Sequence, residues 1–367
     1  MKPYFKTVKR ERLRFESRDP NWLWRVILTY VIAFAGGGLA SWASFPLPWM
    51  LGSFFACAVV SGAGFSLKTI PFGRELAQMT IGLGIGLRFT AATLVATLFL
   101  TPAMLVATFY VIGYTMAAAF IFRPLAGVNR STAFFATAAG GVADMALIAR
   151  ERGGDPSAVG IVHALRVSMT VAIIPILVVS FGEPGTAPDS FMGTGSDLLW
   201  LALVFVASLI LARLLKTTNM PNPWLVAPMF LGILLGATGL LVTIVPPITI
   251  LAAQLLLGTW LGCQFRQELL LKLPRVAVAG IAASLFMIGA AFIGALLLSS
   301  VVPISLATAF LALAPAAVTE MVITAKAMHL DPEVITGFHV MRIFIVCASS
   351  LLVFRLYNWI GRRFARK

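Results

Sequence analysis

The stretch T-A-F-F-A-T-A-A-G-G-V-A-D-M-A-L-I-A-R-E-R-G-G-D-P-S-A-V-G-I-V-H-A-L-R runs from Thr132 to Arg166. It returns 176 residues later, from Thr308 to Arg342, as T-A-F-L-A-L-A-P-A-A-V-T-E-M-V-I-T-A-K-A-M-H-L-D-P-E-V-I-T-G-F-H-V-M-R. The copies align without a gap and agree at 12 of 35 positions. The agreement includes rare polar residues: Asp155/Asp331, His163/His339 and Arg166/Arg342, with Asp144 answered by Glu320. Their surroundings are apolar. The chain is 59% hydrophobic and 11% charged, with a mean hydropathy of +0.94. Runs of about 20 apolar residues, enough to span a hydrocarbon core of roughly 30 Å, recur from Trp22 onward. The fold class is therefore all-α: a polytopic membrane protein. A duplicated unit that puts carboxylate, imidazole and guanidinium inside lipid marks a pathway or binding site, because such groups are costly there.

Working outward, each half holds six apolar elements. In the first they cover 22–43, 47–65, 75–90, 92–122, 131–149 and 157–180; in the second, 197–217, 224–242, 249–265, 276–299, 305–327 and 333–358. The repeat extends beyond the opening block. Pro48-Trp49 corresponds to Pro223-Trp224, and Ala77-Gln78 with Gly82 and Gly86 to Ala253-Gln254 with Gly258 and Gly262.

The basic residues set the orientation. With the basic N-terminus inside, Lys68/Arg74, Arg123/Arg130, Arg213/Lys216 and Arg266/Lys272/Arg275 should also lie inside. The 181–196 loop carries Glu183 and Asp189 without Lys or Arg and should lie outside. Twelve full spans cannot meet both demands. Elements 131–149 and 305–327 are the ones to leave non-spanning, since each has a breaker at mid-segment: Gly140-Gly141 in the first, Pro315 in the second. Irregular backbone at that depth is tolerated only against protein or a wet cavity. The expectation is two inverted repeats with about ten transmembrane helices plus two re-entrant or broken helices. Arg88 falls outside in this scheme and is its one discord.

The domains expected are a basic cytoplasmic arm (1–20), a first membrane repeat (21–182), a periplasmic linker (183–196), a second membrane repeat (197–360) and a basic cytoplasmic tail (361–367). The net charge of +14 is spread over arm, loops and tail, which reads as topology signal and attraction to anionic lipid rather than nucleic-acid binding. Cys57, Cys263 and Cys347 are scattered; they form no metal spacing and no disulfide framework. No Walker loop, dinucleotide fingerprint or zinc motif is present.

The Asp155-Pro156 and Asp331-Pro332 pairs read as helix starts, an N-cap followed by proline. At about 1.5 Å per residue, His163 and Arg166 then sit about 12 and 16 Å into the next span, near mid-membrane. His339 and Arg342 repeat this. His and Arg at this spacing share a helix face. Each Arg closes an ion pair with Asp144 or Glu320, or satisfies carbonyls freed at the break, or contacts an anion. His could relay protons. Asp144 and Glu320 fall in the first turn after the break, where a carboxylate complements the helix dipole or forms a cation or proton site. Gln78 and Gln254 are lone amides, for interhelical hydrogen bonds or for lining a site. The G-x-x-x-G spacings suit close helix packing, and exposed faces of this kind permit a homodimer.

The pattern P-x-P-W from Pro46 and Pro221, then A-Q-x-x-x-G-x-x-x-G, then the duplicated T-A-F…D/E-M…D-P…H-x-x-R block resembles the bacterial AbrB-type duplicated integral membrane family over about residues 25–360. That family also carries an ammonia monooxygenase label, and its name coincides with that of a small DNA-binding regulator which this chain does not resemble. An oxygenase needs a cluster of His or carboxylate ligands, and the chain has three His. The order of elements is loosely similar to the cation/proton antiporter and anion transporter superfamily, a likeness of fold that does not fix function. The resemblance implies a bacterial inner-membrane protein with cytoplasmic termini. The expected function is transporter-like movement of a small anionic or zwitterionic solute, proton- or cation-coupled, without cofactor or metal. The alternatives are a membrane regulator or sensor acting indirectly on gene expression, and a metal-dependent membrane monooxygenase. The expected site comprises Asp144, Glu320, His163, His339, Arg166, Arg342, Gln78, Gln254, Gly140, Gly141 and Pro315.

Overall fold

The computed structural model describes residues 21–181, 198–218, 220, 222–240, 245–265, 267 and 273–364. The basic arm, the 183–196 linker and the last three residues of the tail lie outside the described residues. The described chain is helical throughout. The first repeat contains α1 (Trp22–Trp42), α2 (Pro48–Gly62), α3 (Gly73–Gly86), α4 (Ala91–Phe99), α5 (Thr101–Ala126), α6 (Arg130–Thr137), α7 (Val142–Glu151) and α8 (Pro156–Phe181). The second contains α9 (Leu198–Thr217), α10 (Pro223–Ala237), α11 (Pro247–Gly262), α12 (Pro274–Val301), α13 (Leu306–Leu313), α14 (Val318–Ala327) and α15 (Pro332–Phe364).

Six of these helices, α1, α5, α8, α9, α12 and α15, are long and apolar enough to cross a bilayer; α3 with α4 would make a seventh, bent by 96°. The protein is therefore a polytopic, internally repeated α-helical membrane protein. Its outward surface fits a lipid solvent: Phe34, Trp42, Val106, Phe109, Leu199, Val278 and Leu297 are among many large apolar side chains left exposed.

The expected single element over 92–122 is two helices. They meet at Leu100, which ends α4 and caps α5. Pro102, in the first turn of α5, explains the interruption, because proline has no N–H and its ring clashes with the carbonyl four residues back. Thr101 Oγ1 donates instead to the Leu98 carbonyl at 2.6 Å. At its other end α4 is fixed by a Thr90/Thr93 capping box.

The chain divides into two compact units, residues 1–74 with 255–268 and residues 75–254 with 269–367. In the first, α1 and α2 meet through Gly36 and Gly52, where an added Cβ on Gly36 would lie 2.5 Å from the Gly52 carbonyl oxygen. The second repeat contributes the end of α11, whose Gly258 and Gly262 face the Met50 and Phe54 carbonyls of α2. In the second unit the exchange is reciprocal. Gly82 and Gly86 of α3, from the first repeat, face the Leu225 and Met229 carbonyls of α10, from the second. Both G-x-x-x-G faces are thus occupied within the chain, and a homodimer would need another surface.

Still within the second unit, α12 packs against α5 and α8, and α15 packs against α5. These helices surround the interrupted segments. Ser131–Ala138 and Ala307–Ala316 are buried without exception.

Candidate functional site

The site is built on two helix interruptions. Helix α6 begins at Asn129, whose side chain accepts from the Thr132 N–H, and α13 begins at Ser305, which accepts from the Thr308 N–H. Both stop after eight residues. The caps that stop them adopt the same backbone from different sequences: Ala138 at φ −55°, ψ 139° and Ala314 at φ −56°, ψ 136°. Pro315 accounts for the second, since a residue before proline is driven from the helical region. The first has no proline; it has Gly140 and Gly141. Neither adopts a positive φ. Gly140 is needed for space, because an added Cβ would lie 2.6 Å from Met145 Cε.

Each break leaves carbonyls at the end of the first limb without helical donors. His and Arg of the following span supply them. His163 Nε2 lies 2.9 Å from the Phe135 carbonyl oxygen. Arg166 Nη1 donates to the Thr137 and Ala138 carbonyls at 3.1 and 2.7 Å. In the second repeat His339 Nε2 lies 2.9 Å from Leu311 O. Arg342 donates to Ala314 O at 2.7 Å and Ala316 O at 2.8 Å. The Leu313 carbonyl is taken by the Tyr114 hydroxyl, from the first repeat, at 2.8 Å.

The tautomer of both histidines follows from their partners. Arg166 Nη2 reaches His163 Nδ1 at 3.2 Å, and Arg342 Nη2 reaches His339 Nδ1 at 2.7 Å. A guanidinium only donates, so Nδ1 must accept and Nε2 carries the hydrogen given to the carbonyl. Each imidazole is neutral, with both nitrogens committed. Of the alternatives open for the arginines, the contacts match capping of freed carbonyls. Neither guanidinium pairs with a carboxylate among the described residues. Both are 4% exposed, and the Nε–H of each is buried without a partner.

The two carboxylates differ. Glu320 is 3% exposed and accepts from Thr319 Oγ1 at 3.0 Å. Asp144 is exposed, in the first turn of α7, and its Oδ2 lies where a Cβ on Gly141 would point. A cavity of about 20 Å³ opens beside this first break, lined by Thr115, Ala138, Ala139, Val346, Ser349 and Ser350 among others. That is room for about one water. Gln78 and Gln254 are buried, but neither joins the His–Arg pairs.

Asp155 starts α8 as expected, with Oδ1 accepting from the Ser157 N–H at 2.8 Å. Arg88, the discordant cation, forms an ion pair with Glu333 at 3.1 Å. Sequence reasoning missed Tyr114 and this ion pair. A lone tyrosine deep in an apolar span was the available signal for the first, since a buried hydroxyl seeks a partner.

Among the described residues no group of three or more His, Cys, Asp or Glu could hold a metal ion. That argues against a metal-dependent monooxygenase, which requires such a ligand set.

A protein of Bacillus subtilis (strain 168), "Uncharacterized protein YhjN", is 25% identical over 375 residues, covering 93% of this chain and 95% of that protein. No solved structure matches the chain. The model of the family described as "Transition state regulatory protein AbrB" matches residues 4–95 and 49–358. With nearly the whole chain inside those two matches, the protein belongs to that family.

Proposed function

We propose that this chain is a solute-responsive protein of the bacterial inner membrane, a regulator whose effect on gene expression is indirect. The family's description favours the regulatory role. Indirect action is favoured by the architecture, in which six helices are long and apolar enough to cross a membrane. The solute is small and anionic or zwitterionic.

The observation that carries the solute class is the pair of buried guanidiniums without a carboxylate partner among the described residues, each with an unused Nε–H. The two helix ends they cap supply about half a negative charge each, so roughly one positive charge is left over. Asp144 and Glu320 stand in the first turns of the second limbs, where a carboxylate complements the helix dipole. A site with both poles suits a zwitterion, or an anion that enters with a cation or proton. Arg166 and Arg342 would contact the anionic group, and Asp144 with Glu320 the cationic one. His163, His339, Gly140, Gly141 and Pro315 would shape the breaks, and Gln78 and Gln254 would line the approach.

The proposed topology has about ten spans, two interrupted elements, inverted repeats and cytoplasmic termini. Side-chain contacts are consistent with it. Arg88 meets Glu333, both assigned outside. Asn129 meets the Gly153 carbonyl and Arg130 the Gly361 carbonyl, all assigned inside.

A second reading, secondary transport of the same solute, is favoured by the duplicated breaks with charge at mid-depth. Deleting residues 1–18 separates the two. Under the regulatory reading the transcript changes seen in cells lacking the protein persist when the truncated chain is supplied. Under the transport reading the truncated chain restores them, and liposomes containing it still take up the solute. A wild-type chain that restores nothing would remove both.

A further inference from the structure

The two repeats exchange helices at two equivalent joints, and only one of them carries thiols. In the first unit, Gly262 of α11 sits against α2 so closely that an added Cβ would lie 2.7 Å from Cys57 Cβ. Cys263, the next residue, packs with Cys57 in one apolar cluster that also holds Ala33 and Leu67. The two thiols stand 206 residues apart in the chain, one in each repeat. At the equivalent joint in the second unit, Gly232 replaces Cys57 and Leu87 replaces Cys263. An added Cβ on Gly232 would lie 2.9 Å from the Leu87 amide nitrogen. The second joint has no room for a side chain at the position that Cys57 fills in the first, so the capacity to form a covalent bond is confined to one joint.

We propose that Cys57 and Cys263 are an oxidisable pair that closes to a disulfide under peroxide, joining the second repeat's α11 to the first repeat's α2. All three cysteines are free thiols in the resting protein. One thiol loses a proton and attacks peroxide, giving a sulfenic acid and releasing water. The second thiol then displaces a second water to form the S–S bond. Two thiols and one peroxide become one disulfide and two waters, and the peroxide is the oxidant reduced. Cys263 is the half-buried member and Cys57 the buried one, so attack begins at Cys263 and Cys57 resolves it. A reducing cytoplasm holds the pair open until peroxide rises. Cys347, half-buried on α15, belongs to the other unit and serves as an internal reference. The inference is independent of which solute the breaks bind.

The test uses the full chain in lipid nanodiscs, titrated with hydrogen peroxide, then alkylated and mapped by mass spectrometry. The expected product has lost two hydrogens, contains a Cys57–Cys263 cross-linked peptide that dithiothreitol reverses, and leaves Cys347 alkylated. Cys57→Ser and Cys263→Ser should each abolish the cross-link, and Cys347→Ser should leave it intact. Recovery of Cys57 and Cys263 as free thiols, their separate conversion to sulfinic or sulfonic acids, or cross-links through Cys347 would each overturn it.

Discussion

Arg166 and Arg342 illustrate how a costly residue becomes structural. Each guanidinium holds two carbonyls at the end of a short helix and one imidazole nitrogen. Replacing Arg342 with Met should strand the Ala314 and Ala316 carbonyls in a dry interior. At about 1–3 kcal/mol for each unsatisfied buried group, the loss is roughly 2–6 kcal/mol. Arg342→Lys keeps the charge but loses the fork, so it should fall between Met and wild type. Unfolding in mixed micelles measures the series; equal stability of all three would refute the capping role. Tyr114→Phe removes only the donor to Leu313 O, and about 1–3 kcal/mol should go with it. The same assay checks that value.

At the scale of elements, glycine has opposite meanings in neighbouring helices. Gly82 lies against the Leu225 carbonyl and Gly258 against that of Met50. A Cβ there must displace backbone, and overpacking of this kind costs about 1–3 kcal/mol. Gly113 in α5 and Gly289 in α12 have nothing within 4 Å of an added Cβ. Alanine at either should stabilise by about 0.5–1 kcal/mol through helix propensity alone. Thermal melts of the four single alanine variants should therefore split into two pairs of opposite sign. The breaks were legible at this scale from Gly140-Gly141 and Pro315, because both disfavour helix. Their matching backbone, within a few degrees at Ala138 and Ala314, was not legible, since one break has a proline after the cap and the other has glycines. The kink at Leu100 was missed because 92–122 is uniformly apolar, and hydrophobicity does not register that Pro102 lacks an N–H.

For the whole molecule, inversion makes a prediction that needs no ligand. Gly153 and His329 occupy the same turn in the two repeats, both with positive φ, at 73° and 52°. The turns close alike, with Gly154 N–H to Ala149 O at 2.7 Å and Leu330 N–H to Ala325 O at 2.9 Å. Single cysteines placed there, in a chain whose native cysteines are serine, should label from opposite sides of the membrane. An impermeant maleimide should reach position 329 in intact cells and position 153 only after permeabilisation. Labelling of both from one side would leave a repeat without inversion.

By itself the sequence determined that the protein is helical, membrane-embedded and duplicated. Those properties live in hydrophobic run length and in residue identity at a fixed offset, which no packing can alter. It also set the distance of His163 and Arg166 from the start of their helix, because helix rise is constant. Only the tertiary structure decided which groups they serve. The partners of His163, Arg166 and Tyr114 are carbonyls 28, 29 and 199 residues away, and a carbonyl is present at every residue, so its identity carries no signal. Likewise, the G-x-x-x-G spacings announced a close approach, but their target lay in the opposite repeat, chosen by the backbone surfaces that happened to fit.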